Sequence, residues 1–442
     1  MRAGTAFTRA HIMGGSCPAV SMPSRAMLHT GRPLFAIEGC GARIPPDQAL
    51  LGETFRAAGY RTCGIGKWHN GPEAYARSFT DGDEIFFGGM EDHWNVPACR
   101  FDPSGRYARF APKVTDFVAQ RVTRNRCDHV TPGRHSSELF ADAAVRFLED
   151  APRGSPFLLY VAFMAPHDPR TMPPEYAELH PPADLALPPN AWPAHPFDNG
   201  ELLVRDERLA ASPRDAEEVR RHLSAYYGMI AHADAQVGRI LDALRAAGRE
   251  DDTVVAFSGD NGLALGQHGL MGKQSLYDHS LRVPLVLAGP GVPRGERRDA
   301  LCYLHDLFPT LCDLCGIATP ASVDARSLAP ALRDPREPHR PALHFAYGAV
   351  QRGARDARFK RIDYAVGGRR TAQLFDLEAD PWETRNLAGE PGAAAHFERL
   401  GRELERWPAE LGDTREAGRA FWSAARAGPA PGFAAAPGGP HA

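Results

Sequence analysis

Four short runs of apolar and β-branched residues, Thr62–Ile65, Phe157–Phe163, Val254–Ser258 and Val283–Ala288, alternate with longer stretches whose apolar residues recur at helical spacing. Unbroken apolar runs of about four to eight residues read as strands covered on both faces. The helical period covers Gln48–Ala58, Ser136–Glu149 and Ala216–Ala247. In the last, the apolar stripe runs through Leu223, Tyr227, Ile230, Ala233, Val237, Ile240, Leu241 and Leu244. Another helix is expected over Tyr303–Cys315, with Cys312 and Cys315 on one face as buried thiols. Strands alternating with helices predict an α/β fold with a central, mostly parallel sheet flanked by helices. Further on, His344–Tyr347, Phe359–Tyr364 and Gln373–Leu377 read as an antiparallel sheet in a smaller α+β domain.

In an open α/β sheet, ligands bind beyond the carboxyl ends of the strands. Polar residues stand at those ends here. Thr62–Ile65 leads into Gly66-Lys67-Trp68-His69, where an extended segment puts Lys67 and His69 on one side. Phe157–Phe163 leads into Pro166-His167-Asp168-Pro169. Val254–Ser258 leads into Asp260-Asn261-Gly262, whose acid and amide offer hard oxygen donors suited to calcium or magnesium, though the tripeptide by itself is more often just a turn. The following stretch from Gly266 through His268 to Lys273 is not a phosphate loop. Five residues rather than four separate Gly266 from Gly272, and Gln274 stands where that loop has a hydroxyl.

The stretch Ser21-Met22-Pro23-Ser24-Arg25-Ala26-Met27-Leu28-His29-Thr30-Gly31-Arg32 places proline in the first turn of a helix that Ser21 opens. A helix N-terminus favours a sulfate or phosphate, and Arg25, one turn on, can fork onto its oxygens. An ordinary capped helix with a surface arginine would show the same five residues.

Charge and length narrow the partners. With 51 basic and 54 acidic side chains, net −3, nothing points to nucleic acid or a membrane surface. Arg121, Arg124 and Arg126 read as a solvated face, with contact to a glycan sulfate as the alternative. The longest apolar run, Phe157–Met164, falls far short of the ~20 residues that span a bilayer. Met1–Thr5 lack the parts of a secretory signal, so the chain as given reads as cytoplasmic, or as periplasmic or secreted if an export signal precedes it. Cys312–Cys315 is the single C-x-x-C among eight cysteines, and zinc is not expected.

Taken in order, these segments resemble the type I sulfatases of the alkaline phosphatase superfamily. Ser21 to Arg25 and Thr30-Gly31-Arg32 resemble the family's S/C-x-P-S-R signature and the T-G-R after it. Gly66-Lys67-Trp68-His69 resembles its G-K-W-H-L-G segment, Pro166-His167 its P-H-x-P, Asp260-Asn261 its calcium pair, and Lys273 its second sulfate-binding lysine. Leu374 to Glu383 with Asn386-Leu387 resembles its C-terminal L-[YF]-D-L-x-x-D-P-x-E-x-x-N-L.

The resemblance implies an alkaline-phosphatase-like sandwich that hydrolyses a sulfate monoester, a sulfated carbohydrate among the candidates. It implies that Ser21 is oxidised to formylglycine, whose hydrate attacks sulfur with one hydroxyl and expels sulfate with the other. The catalytic set is then Ser21, Arg25, Lys67, His69, His167 and Lys273, with Arg25, Lys67, His167, Lys273 and His268 on the substrate. Calcium, with magnesium as the alternative, would sit on Asp260, Asn261 and residue 21. Serine in place of cysteine implies a bacterial radical S-adenosylmethionine maturase as partner. Phosphodiester or phosphonate monoester hydrolysis, and an inactive anion-binding protein, are the other readings.

The match spans Phe7 to Leu387. Family members open with a strand ending in two adjacent metal-binding aspartates, and the residues given start past that point, which reads as an N-terminally truncated member with half a calcium site. The expected divisions are a catalytic domain over 1–330, a C-terminal subdomain over 331–405, and a tail over 406–442, helical and then disordered in its Pro/Gly/Ala-rich end. Specificity is expected in the loops Glu91–Thr131 and Glu175–Leu209.

Overall fold

The structure is a computed structural model and describes residues 3–116, 121–152, 154–427 and 431–433. In chain order the first part contains β1 (Gly4–Phe7), α1 (Ser21–Thr30), β2 (Arg61–Lys67), β3 (Asp81–Phe86), α2 (Ser136–Asp150), β4 (Phe157–Ala162), α3 (Ala216–Ala246), β5 (Val255–Ser258), β6 (Leu285–Ala288) and β7 (Glu296–Arg298). All four expected apolar runs are strands: β2, β4, β5 and β6.

The α/β alternation holds, and the sheet it builds is mixed. β4-β2-β3 form a three-stranded, wholly parallel sheet. β5-β6-β1-β7 form a second sheet, in which β1 runs antiparallel to β6 and parallel to β7, and β5 runs antiparallel to β6. Among the described residues β4 pairs with β2 alone and β5 with β6 alone, so both are edges. They are therefore less covered than unbroken apolar runs imply: β4 is mostly half-buried, and Phe257 of β5 is 48% exposed.

The second part is an antiparallel sheet of β8 (Leu343–Tyr347), β9 (Gln351–Arg355), β10 (Phe359–Val366) and β11 (Arg369–Asp376). β9 was not expected, because its sequence Gln-Arg-Gly-Ala-Arg is polar, yet all five residues are buried. Arg352 is neutralised there by Asp413, Nε to Oδ2 at 2.7 Å, and Arg355 donates to His11 Nε2 at 3.0 Å. The short strands Gly14–Gly15 and Gly432–Phe433 add to opposite edges of this sheet, so the start of the chain is stitched to its far part. α4 (Ala394–Leu411) runs through position 405, and α5 (Glu416–Ala427) follows it. The tail expected to be disordered from Gly428 lies outside the described residues except for 431–433.

The helix expected over Tyr303–Cys315 is a 3-10 turn, Leu304–Asp306, followed by helix Leu307–Leu314, with Cys312 buried and Cys315 half-buried. α3 turns a different stripe inward from the one its apolar residues trace. Leu223 and Leu244 are buried as expected, but Met229, His232 and Gln236 face in while Tyr227, Ile230 and Leu241 are exposed. The polar members of that stripe are what hid it, because helical periodicity is read from apolar residues. No helix among the described residues is long and apolar enough to cross a membrane.

The core beneath the strand ends is aromatic. Trp68, 2% exposed, packs against His29, Tyr75 and Phe79 at ring-centroid distances of 4.5, 5.5 and 5.4 Å, and His29 meets Tyr160 at 4.8 Å. Rigid rings of this size fix the residues that stand on them.

Candidate active site

The Ser21 stretch folds as its sequence dictates: Ser21 opens α1, Pro23 sits in the first turn, and Gly31 ends the helix in the left-handed region at φ +62°. A Cβ on Gly31 would lie 2.6 Å from Val323 Cγ1, so space and backbone both demand glycine. The helix start is pinned by Asn70, which follows His69 and donates through Nδ2 to the carbonyls of Met22 at 3.0 Å and Gly41 at 2.7 Å. Gly66, at φ +82°, is the last residue but one of β2 and has no room for a side chain, since a Cβ would lie 2.3 Å from the Ala162 carbonyl oxygen. That tight join brings Lys67 and His69 to the end of α1.

Ser21 is buried, and its Oγ accepts a hydrogen bond from Asn261 Nδ2 at 2.9 Å. Arg25 donates through Nε to Asp260 Oδ2 at 2.7 Å, and through Nη1 to the Lys67 carbonyl at 3.0 Å and the Tyr160 hydroxyl at 2.9 Å. The signature helix is thus bonded to three strand ends at once. Lys273 Nζ donates to His167 Nε2 at 3.1 Å. His167 is therefore a neutral imidazole with its proton on Nδ1, donating to the Asp168 carbonyl at 2.9 Å.

The electrostatics are those of an oxyanion site. Burial opposes the charge on Asp260, but Arg25, Lys67 and Lys273 hold it well below the usual carboxylate range. Burial lowers Lys67 to about 7; Arg25 and Lys273 add to this, and Asp260 resists it. Arg25 is disfavoured by burial, yet Tyr160 and Asp260 outweigh this and raise it above its ordinary value. Burial, Lys273 and Lys67 lower His167 to about 4. His69 is pushed well below its ordinary value by burial and by Lys67 and Arg25, and its buried Nδ1 has no partner. Three cations around one carboxylate, with neutral imidazoles beside them, form a cradle for a tetrahedral anion.

His268 stands apart from this cluster in its contacts. Its ring stacks on Tyr277 at 3.8 Å, meets Trp192 edge-on at 4.9 Å, and donates through Nε2 to the Glu383 carbonyl at 3.0 Å. The Asp380-Pro381-Trp382-Glu383 segment is bonded in the same way: Asn190 Nδ2 donates to the Trp382 carbonyl at 2.7 Å, and Glu383 Oε2 accepts from the Asp278 amide at 2.7 Å. These contacts fasten the second sheet to the first part.

Sequence reasoning missed four supporting groups. Tyr160 had one signal, a phenol inside an otherwise apolar strand. Asp206 lies 3.9 Å from Lys273 Nζ and accepts from Gln274 Nε2 at 2.9 Å, with no motif around it. His93 and His135 are fully buried neighbours, stacked at 4.9 Å, whose Nε2 atoms donate to the carbonyls of His167 and Thr171, both at 3.0 Å. They clamp the His167 loop from below.

A sequence model of the sulfatase family matches residues 1–317, and one of the N-sulphoglucosamine sulphohydrolase C-terminal region matches 266–410. The chain belongs to the sulfatase family. The first match takes in every member of the anion cradle, and sulfatases belong to the alkaline phosphatase superfamily. An ulvan-active sulfatase of Formosa agariphila is 28% identical over 90% of this chain and 73% of its own. The multifunctional alkaline phosphatase superfamily protein PehA of Trinickia caryophylli is 28% identical over 84% of this chain and 82% of its own. A structure solved in complex with its substrate, D-glucosamine-2-N,6-O-disulfate, superposes with a TM-score of 0.73 at 21% identity, covering 94% of this chain and 92% of that one. The phosphonate monoester hydrolase of Silicibacter pomeroyi superposes at 0.68 with 22% identity, covering 93% and 89%. The fold of this sulfatase is accordingly alkaline-phosphatase-like.

Sulfatases generally use calcium and formylglycine. Among the described residues, no three His, Cys, Asp or Glu side chains are grouped to hold a metal ion. Asp260 Oδ2 is taken by Arg25, and its Oδ1 accepts from Asn261 Nδ2 at 2.9 Å. Calcium takes about six to eight oxygen donors, so Asp260, Asn261 and residue 21 alone do not fit it. Ser21 does fit as a precursor of formylglycine: it is buried at a helix start, bonded to Asn261 and faced by the cradle.

Proposed function

We propose that this chain hydrolyses a sulfate monoester at Ser21 after the serine has been oxidised to formylglycine by a radical S-adenosylmethionine maturase. The observation that carries the reading is the meeting of Ser21 Oγ with Asn261 at 2.9 Å in a pocket whose charge comes from Arg25, Lys67 and Lys273. The hydrated aldehyde would supply a nucleophilic hydroxyl and a second one that allows release of sulfate, which serine lacks.

The protein's own groups do the rest. Asn261 orients residue 21. Arg25, Lys67 and Lys273 receive the non-bridging oxygens and stabilise the charge that grows on them. His167, neutral, keeps Lys273 aimed through their 3.1 Å bond, and His69, neutral with an unpartnered Nδ1 and acted on by Lys67, Arg25, Asp260 and Lys273, is the imidazole of the cradle with a nitrogen left to take a proton. Burial of the cradle removes competing water and strengthens each interaction.

Expression with a serine-type maturase tests this. The tryptic peptide containing Ser21 should lose the mass of two hydrogens, and an aryl sulfate should turn over, with both signals absent in Ser21→Ala. Unmodified Ser21 with no turnover under those conditions would overturn the reading.

Hydrolysis of a phosphodiester or phosphonate monoester is the second reading. It is supported by the fact that a tetrahedral phosphoryl group suits the same three cations. Competition between a sulfate ester and a phosphonate ester of the same phenol ranks the two.

A further inference from the structure

The two loops that flank α1 bring a pair of cysteines together. Cys17 lies four residues before Ser21, and Cys40 lies eight residues after Arg32. Their thiols are in hydrogen-bonding contact with one another. Cys40 Sγ also donates to the carbonyl of Ser16, the residue beside Cys17, at 3.9 Å, and Cys17 Sγ donates to the Ala19 carbonyl at 3.8 Å. Thiols are weak donors, so little is lost when the sulfurs trade these contacts for a covalent bond.

Both cysteines are half-buried among exposed neighbours, Ser16, Pro18 and Ala19 in one loop and Glu38 and Gly39 in the other, where a small molecule can reach them. The other half-buried cysteines are engaged elsewhere, Cys127 with the His129 carbonyl at 3.2 Å and Cys315 with the Tyr60 hydroxyl. The surrounding backbone keeps the pair in place. Gly41 lies against α1, where a Cβ would come within 2.6 Å of Ala26 Cβ, and its carbonyl takes one of the two Asn70 hydrogen bonds. In the other loop, Gln274 Nε2 donates to the Pro18 carbonyl at 2.9 Å. Gly39 has nothing within 4 Å of the place of a Cβ, which leaves room for the adjustment that a sulfur–sulfur bond demands.

We propose that Cys17 and Cys40 are a disulfide site, oxidised by a small-molecule disulfide such as that of glutathione, and that the bond closes a covalent ring around the helix that Ser21 opens. The Cys40 thiolate attacks one sulfur of glutathione disulfide, forms a mixed disulfide and expels the first glutathione thiolate. Cys17 then attacks the Cys40 sulfur, the Cys17–Cys40 bond forms, and the second glutathione leaves. Two cysteine thiols are oxidised, one glutathione disulfide is reduced to two thiols, and the two cysteine protons pass to the glutathione thiolates. Burial and the facing thiol push Cys17 up to about 12, which makes it the second to react, when the attack is intramolecular. The ring encloses residues 17–40 and constrains the unfolded chain, so the oxidised protein is the more stable form.

The test incubates the full chain with glutathione disulfide at mildly alkaline pH, blocks remaining thiols by alkylation, and maps tryptic peptides without reduction. The peptides holding Cys17 and Cys40 should appear joined, two hydrogens lighter than their sum, with Cys127 and Cys315 alkylated. Tm should rise by several degrees on oxidation, fall back with dithiothreitol, and show no such rise in Cys17→Ser. Cys40→Gly gives a second variant suited to the fold, because residue 40 is in the left-handed region at φ +58°. Alkylation of both cysteines, a glutathione adduct on either without the joined peptide, or a Tm rise that survives both substitutions would overturn the proposal. Ring closure needs no sulfate chemistry, so its outcome is independent of whether an ester turns over.

Discussion

Lys67 shows how one buried side chain can set the working range of the site. Its ammonium is one of three cations available to an anion, and burial with Arg25 and Lys273 nearby brings it to about 7. Above that value the cradle loses a charge. Inorganic sulfate, titrated calorimetrically, should bind progressively more weakly as pH rises through 7, by up to about tenfold per unit. Lys67→Arg, which stays charged, should flatten that profile. The stability effect has the opposite direction. Between about 7 and the ordinary 10.5 the unfolded chain binds the proton that folded Lys67 has lost, so this residue makes the fold more stable as pH rises across that window.

At the scale of elements, the His167 loop is held as much from beneath as from its ends. The His93 ring donates through Nε2 to the His167 carbonyl, and its Nδ1 lies 2.8 Å from Ser136 Oγ, at the start of α2. His135 accepts from the Ser137 amide at 3.2 Å and donates to the Thr171 carbonyl. Two imidazoles thus transmit the position of α2 to the loop that aims Lys273. Removing the donor in His93→Ala should lower kcat/KM by roughly tenfold while leaving an aldehyde signal at residue 21, since the effect is on positioning. His93→Gln, whose amide nitrogen can reach the same carbonyl, should restore most of the loss. Equal losses in both variants would show that the ring serves only packing.

For the whole molecule, the buried imidazoles form a common liability. Burial lowers His11 and His305 to about 4, and His29, His135 and His279 to about 3. Each is neutral in the fold and takes up a proton near 6.5 when the chain unfolds, so the unfolded state binds more protons across the window between. Thermal unfolding followed from pH 7 to 4 should show a steep fall in Tm beginning below 6.5. An unchanged Tm down to pH 4.5 would mean that these rings are solvated.

The strands, the long helices and the order of the motifs were legible in the sequence because apolar runs, helical period and short polar segments are local signals. β9 was not, since its arginines are buried by partners such as Asp413 and Asp278 that lie far away along the chain. The inward stripe of α3 was misread for a related reason, as His232 and Gln236 occupy positions that periodicity assigns to apolar residues. The six residues from Ser21 to Lys273 named as catalytic fall around one cradle, but His268 is engaged with Tyr277 and the Glu383 carbonyl. Tyr160, Asp206 and the paired histidines had to be seen in place, because what makes them relevant is which backbone or charge they touch.

Among the described residues β4 and β5 are each bonded on one side and leave two rows of peptide groups without a strand partner, with Phe257 standing out beside one of them. Such rows are templates on which other chains can add. The protein as described should therefore be sensitive to crowding with itself: scattered light should grow with concentration well below the unfolding temperature. Phe257→Lys, a charge placed on the open edge, should suppress that growth while leaving the cradle untouched.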